Sequence, residues 1–238
     1  MCLRKWGLGA LPVSVLIVML WSGAHPALAA DDPRPATGFI KKGGVRFYVV
    51  EKRIEIDGRF GLQRWLIELL ACEVGGKEHK SVIALDVKPE ILYFCLLLMK
   101  LERGNPAPQR PAAPQPAPSS VVIKVRWADK QGVEKTVPAE DLCWDAAAKR
   151  PMTPTSWRFV RPQFQQQPAN APPGWEKSII GLQDPSAMLQ PAVPPDMATG
   201  AFTINERLAP PVGTPCTIIL QPVPEVIPAV QPAEPKAK

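Results

Sequence analysis

Hydrophobic and polar positions change rhythm several times along this chain. Leu8 to Trp21 is an apolar run without a formal charge, placed just behind Arg4 and Lys5. From Val45 to Ile56 the chain is rich in Val, Ile, Phe and Tyr, the composition of a strand. The apolar phase switches there from Val45, Phe47 and Val49 to Ile54 and Ile56, which predicts a bulge or break near Glu51. Asp57-Gly58 reads as a turn and Arg64 to Val74 as a second strand. That strand is apolar on both faces near Leu66 to Ala71, as expected of one covered on both sides. Gly75-Gly76 reads as the next turn, and Glu78 to Leu85 as a third strand.

A helix follows. Asp86 or Lys88 stands at its start, Pro89 suits its first turn, Glu90 suits the dipole there, and Gly104 is the stop. Its body, Ile91 to Leu101, is almost wholly apolar but reaches under about 20 Å, short of the roughly 30 Å of a bilayer interior, so it is expected to pack on the sheet. Val121, Ile123, Val125 and Trp127 then alternate with Lys124 and Arg126, a half-buried strand. Asp129 to Gly132 turns it into a return strand at Val133–Val137. Ala139 to Leu142 suits a helical turn, and short strands are predicted at Ser156–Val160, Ala201–Ile204 and Cys216–Gln221, with proline-rich loops between. The sum is an α+β fold: one antiparallel sheet, one dominant apolar helix and long proline-rich loops.

Composition changes this picture mainly through proline. Of 30 prolines, 25 follow residue 105, so the second half is neither packed helix nor central sheet throughout. With 46% hydrophobic and 21% charged residues, wholesale disorder is also excluded, as are a helical bundle, a multi-span membrane protein and a large α/β enzyme. Six prolines fall in residues 105–120, a semi-rigid linker, and the tail 223–238 is Pro/Ala-rich and expected to be disordered. Arg4-Lys5, the apolar run and Ala27-Leu28-Ala29 have the order of a secretory signal peptide, with a retained N-terminal anchor as the alternative. The expected organisation is a signal at 1–29, a disordered leader at 30–37, and one domain over 38–222 interrupted by the 105–120 linker. Export places the protein outside the cytoplasm: periplasm, cell envelope or medium. Loss of the signal takes two of the 28 basic residues and none of the 22 acids, a balance of +4 without a block of like charges. Nucleic acid is therefore not an expected partner, nor is a stable membrane span after cleavage. An envelope or protein partner is, and no cofactor is expected.

Candidate chemistry is sparse. Four cysteines remain after the signal, Cys72, Cys95, Cys143 and Cys216, open to disulfide pairing in three ways in an oxidising compartment. There is no C-x-x-C, no G-x-S-x-G and no H-E-x-x-H. A hairpin centred on Gly75-Gly76 would set Cys72 opposite His79, the mature chain's single histidine, and Glu73 opposite Glu78. A cysteine beside a histidine suits a thiolate–imidazolium nucleophile or half of a metal site. The plainer reading is a buried cysteine and a structural histidine, and a one-residue slip would part them. Trp127, Trp144, Trp157 and Trp175 suit either a groove or a core edge, and Glu140-Asp141 has the look of ordinary surface.

The run from Leu70 through Cys72, Gly75-Gly76-Lys77-Glu78-His79-Lys80-Ser81 and Asp86-Val-Lys-Pro89 to the leucine-rich helix resembles the YdjY-type domain of exported bacterial proteins, planctomycete proteins among them. Ile123, Val125 and Trp127, Pro138-Ala-Glu-Asp141 and Gly213-Thr-Pro-Cys-Thr217 are similar as well. Lys80 stands where that family usually has glutamate, and Ser156-Trp-Arg-Phe-Val160 lacks its usual Gly-Ser. The resemblance implies one fold unit over about 38–222 and no particular reaction. The expected function is a non-catalytic binding or structural module of the cell envelope. The alternative is a small-ligand or metal protein using Cys72 and His79.

Overall fold

The computed structural model describes residues 39–62, 66–102, 119–160, 174–192 and 201–223. The expected signal and leader, all of the tail but Val223, most of the linker and the prolines at 162–173 lie outside the described residues. Strands β1 (Phe39–Lys42), β2 (Val45–Tyr48) and β3 (Arg53–Phe60) form an antiparallel meander. The phase switch near Glu51 is thus a full turn of four exposed residues, 49–52, between β2 and β3, and Val49 belongs to that turn rather than to the buried face. Short β4 (Leu66–Ile67) leads into β5 (Leu69–Glu73), then β6 (Ser81–Leu85), helix α1 (Pro89–Leu98), β7 (Ser120–Ala128) and β8 (Glu134–Pro138). Seven more strands follow: β9 (Cys143–Asp145), β10 (Arg150–Pro151), β11 (Trp157–Phe159), β12 (Ser178–Gly181), β13 (Leu189–Pro191), β14 (Phe202–Ile204) and β15 (Pro215–Pro222).

Eight of these strands close on themselves. Each neighbour in the order β3-β15-β7-β11-β13-β12-β5-β6 is hydrogen-bonded to the next, and β6 pairs back onto β3 through Phe60↔Ile83, Arg59↔Ala84 and Gly58↔Leu85. Closure removes the exposed edges an open sheet would present. The inward positions of the long strands fill the barrel: Ile54, Ile56, Ile123, Val125, Ile218 and Leu220 are buried, and Phe60 meets Trp127 edge to face at 5.6 Å. Two strands are shared, β3 between β2 and β6, and β7 between β11 and β8. The first half of β3 carries β2 and the second half carries β6, so the β1–β2 ribbon leaves the barrel where β6 joins. A separate four-stranded sheet, β10-β9-β14-β4, packs its inner residues into the same core.

The α+β expectation is therefore corrected: the protein is mainly β, a closed eight-stranded barrel with a single ten-residue helix among the described residues. Two features misled the sequence reading. Leucine-rich α1 looks dominant, yet beyond Pro89 at its start only Leu92, Tyr93 and Leu96 of its apolar side chains are buried, Tyr93 with its ring 5.7 Å from Phe159. Several strands of two to four residues, among them β9, β12 and β13, are also too short to show a period between prolines. Asp57-Gly58 is not a turn but the middle of β3. The glycine answers the β3–β6 seam, where a Cβ would stand 2.7 Å from the Ala84 carbonyl oxygen. The sheet is not purely antiparallel either, since β5–β6 and β12–β13 run parallel.

Those two parallel pairs are built alike. Each joins adjacent strands through seven residues, 74–80 and 182–188, where parallel neighbours ordinarily need a dozen or more. Seven extended residues reach about 23 Å. That covers the roughly 13 Å back along β5, since strands rise about 3.3 Å per residue. β5 and β12 lie side by side and antiparallel, so the two return loops meet over one region of the barrel wall. Elsewhere, the Ser119 N–H donates to the Glu102 carbonyl at 2.8 Å and the Ser119 hydroxyl accepts from the Glu102 N–H at 2.8 Å. The two ends of the proline-rich stretch are thus held together beside α1.

Candidate functional site

Cys72 lies on β5 with Ala84 of β6 on one side and Ser178 of β12 on the other. It is fully buried, in a small apolar cluster with Leu69 and Ala187. Burial pushes its thiol up to about 11, a hydrogen bond with the Ser81 hydroxyl offsetting part of the rise. A thiol so placed stays protonated at neutral pH and is a poor nucleophile. His79 is exposed on a single 3-10 turn, Glu78–Lys80, ahead of β6. The hairpin that would have paired the two does not form, because β5 and β6 are parallel: Cys72 faces Ala84 and Glu73 faces Leu85. Glu78 turns instead to the Gly75 N–H, at 2.6 Å, and to Arg59, at 3.5 Å. Among the described residues no group of three or more His, Cys, Asp or Glu side chains is placed to hold a metal ion.

What the two return loops bring together is a different pair. Lys77 Nζ of the first loop donates to Asp184 Oδ2 of the second at 2.7 Å, both side chains being almost wholly buried. The carboxylate also accepts from the Ser178 hydroxyl at 2.9 Å, from the Ser186 N–H at 2.9 Å and from the Ser186 hydroxyl. Burial alone would raise its pKa, but the bonds from Lys77 and Ser186 outweigh that, and the Asp184 carboxyl is held below its ordinary value. The Lys77 carbonyl in turn accepts from the Ser81 hydroxyl at 2.8 Å. At the break between β4 and β5, the Glu68 carbonyl accepts from Leu182 and Gln183 of the second loop while its N–H donates to Lys80 of the first. Gly76 lies against Lys177, where a Cβ would stand 2.8 Å from that residue's own Cβ and 2.9 Å from the Glu73 carbonyl oxygen. Sequence reading passed over Lys77 and Asp184, which stand 107 positions apart. No local signal in the sequence joins them, because the loops that carry them meet only when β5 and β12 lie side by side.

The remaining candidates divide between core and surface. Glu140 is buried and accepts from Trp157 Nε1 at 2.8 Å, so it is not the surface residue its sequence suggested. Burial raises its carboxyl pKa, the Trp157 bond opposing. Trp127 and Trp157 are core residues, whereas Trp144 is half-exposed beneath the Arg207 guanidinium, 5.6 Å from its ring centre. The four cysteines are free thiols. Burial raises Cys143 and Cys216 as it does Cys72, Cys216 up to about 12. On the barrel's outer face Glu55 is buried beneath Arg46, Arg53 and Arg126, at 3.5, 3.2 and 3.1 Å. A cleft of about 440 Å³ opens beside it between Asp57, Arg126, Glu134 and Thr217.

Residues 48–221 match the family model described as the YdjY domain. The chain belongs to the YdjY domain family. No curated protein and no solved structure matches the chain. The matched range takes in the barrel almost whole and leaves β1 and most of β2 outside it. Within the YdjY domain the Gly75-Gly76-Lys77 segment is the first return loop, and its residues have internal duties: a close chain crossing and one half of a buried ion pair. Lys80, the departure from the family pattern, reaches Glu68 in a half-exposed pair worth little in water.

Proposed function

We propose that this YdjY-domain protein works outside the cytoplasm as a non-catalytic module that binds or braces a partner of the cell envelope. The observation that carries the reading is the fate of the conspicuous motif. Cys72 is sealed in the barrel wall with its thiol protonated, His79 points to solvent, and the polar groups around Asp184 are spent on one another. A site evolved for turnover keeps such groups open to a substrate, whereas a scaffold uses them to set the path of its loops. Arg4-Lys5, the following apolar run and Ala27-Leu28-Ala29 support export. Two measurements test the reading. Cell fractionation with N-terminal sequencing should find the protein outside the cytoplasm, beginning at or near Ala30. Metal analysis of the purified chain, with His79→Ala alongside, should show no stoichiometric metal in either. A stoichiometric metal that disappears in the variant would restore the Cys72–His79 alternative.

A further inference from the structure

The ribbon that leaves the barrel ends in an apolar tip. The β1–β2 register sets Phe39 opposite Tyr48, and the turn after Tyr48 is Val49-Val50-Glu51-Lys52, so one end of the ribbon collects the start of β1 and that turn. Phe39 is 50% exposed, Ile40 57%, Val49 50% and Val50 81%. Four large apolar side chains are left in water at this end of the ribbon, Phe39 and Ile40 on its opposite faces, an exposure that suits a contact surface. The charge around them is one-sided. Lys41, Lys42 and Lys52 are exposed and take part in no ion pair among the described residues, while Glu51 is the lone acid of the turn. Lys41 and Lys42 follow Phe39 and Ile40 directly, within about a Debye length of the tip. Lysines on an edge strand also discourage strand addition, but that role does not account for Phe39, Ile40, Val49 and Val50 being left in solvent.

We propose that this tip docks on an anionic lipid surface, the apolar side chains entering the headgroup boundary and the three lysines pairing with lipid phosphates. Exposed apolar side chains with lysines alongside suit a charged bilayer interface, where each lysine near the surface adds to the attraction. β1 and most of β2 lie outside the range matched by the YdjY domain. The proposal rests on the ribbon alone and not on export, so a protein found inside the cell would refute the function proposed above without touching this one.

Residues 30–238, which contain every described strand, would be sedimented with vesicles of phosphatidylglycerol and phosphatidylcholine in equal parts, and with phosphatidylcholine alone. Binding is expected to the charged vesicles, weakening with salt, and roughly tenfold or more poorer to neutral ones. Val49→Asp with Val50→Asp, two exposed turn residues, should keep the circular dichroism of the barrel and lose about tenfold on charged vesicles. Lys41→Glu with Lys42→Glu should remove the preference for charged lipid. Equal binding by the aspartate variant, or sedimentation with neither vesicle, overturns the proposal.

Discussion

Replacing Lys77 with methionine keeps most of the side-chain volume and removes one charge, leaving the Asp184 carboxylate buried without its cation. Removing one partner of a buried pair costs about 3–5 kcal/mol, because the remaining charge is desolvated and uncompensated. Asp184 would retain three donors, the Ser178 hydroxyl and the Ser186 N–H and hydroxyl, which places the loss toward the lower end, about 3 kcal/mol. For a domain of this size each kcal/mol moves the melting temperature by about 2–4 °C, so a fall of roughly 6–12 °C is expected. Urea unfolding of Lys77→Met, Asp184→Asn and the double variant gives the coupling directly. The double variant should lose at least about 1.5 kcal/mol less than the sum of the singles, as contacting residues do. A pH series adds an independent check. The folded carboxyl lies below its ordinary value of 3.8, so its stabilising share is complete above that value and drains away as pH falls through the folded pKa. Asp184→Asn should lack that part of the acid sensitivity. A Lys77→Met cost under about 1 kcal/mol, or additive singles, would refute the view that this pair locks the two return loops.

Glu140→Ala should cost about 1–3 kcal/mol by orphaning the Trp157 N–H, while Glu140→Gln, which keeps an acceptor and removes a buried charge, should cost far less; urea unfolding followed by tryptophan emission reads both. Gly58→Ala should lose about 1–3 kcal/mol, since its methyl would meet backbone at 2.7 Å across the β3–β6 seam, and a change within 0.5 kcal/mol in a urea titration would show that the seam gives way. Of the four thiols, the partly exposed Cys95 should react first with a chromogenic disulfide reagent at neutral pH, while Cys72, Cys143 and Cys216 wait for unfolding. Prompt reaction of Cys72 would reopen its candidacy as a nucleophile.

Much of the fold was readable where the pattern was long. The alternation Val121-Ile123-Val125-Trp127 predicted β7 and its inward face, Pro89 and Glu90 predicted the start of α1, and Asp129 predicted the turn in which its carboxylate accepts from Gln131 and Val133. Reading failed where a residue answers to a distant chain segment. Gly58 looks like a turn and is a seam glycine. Gly75-Gly76 looks like a hairpin and begins a return loop. Glu140 looks like surface and sits under Trp157.

The candidate site shows the same division. Cys72 and His79 were joined by an assumed register, and one change in strand direction parted them. Lys77 and Asp184 had nothing local to join them until β5 and β12 came side by side. Side-chain periodicity along a strand records which face meets the core, because alternate residues point to opposite sides of the backbone. It holds no record of which strand lies alongside, or in which direction it runs. By itself, then, the sequence determined the faces of the long strands, the position of the helix and the family. Closure of the barrel, the two parallel pairs and the buried ion pair between their loops were decided only when distant segments competed for the same neighbours.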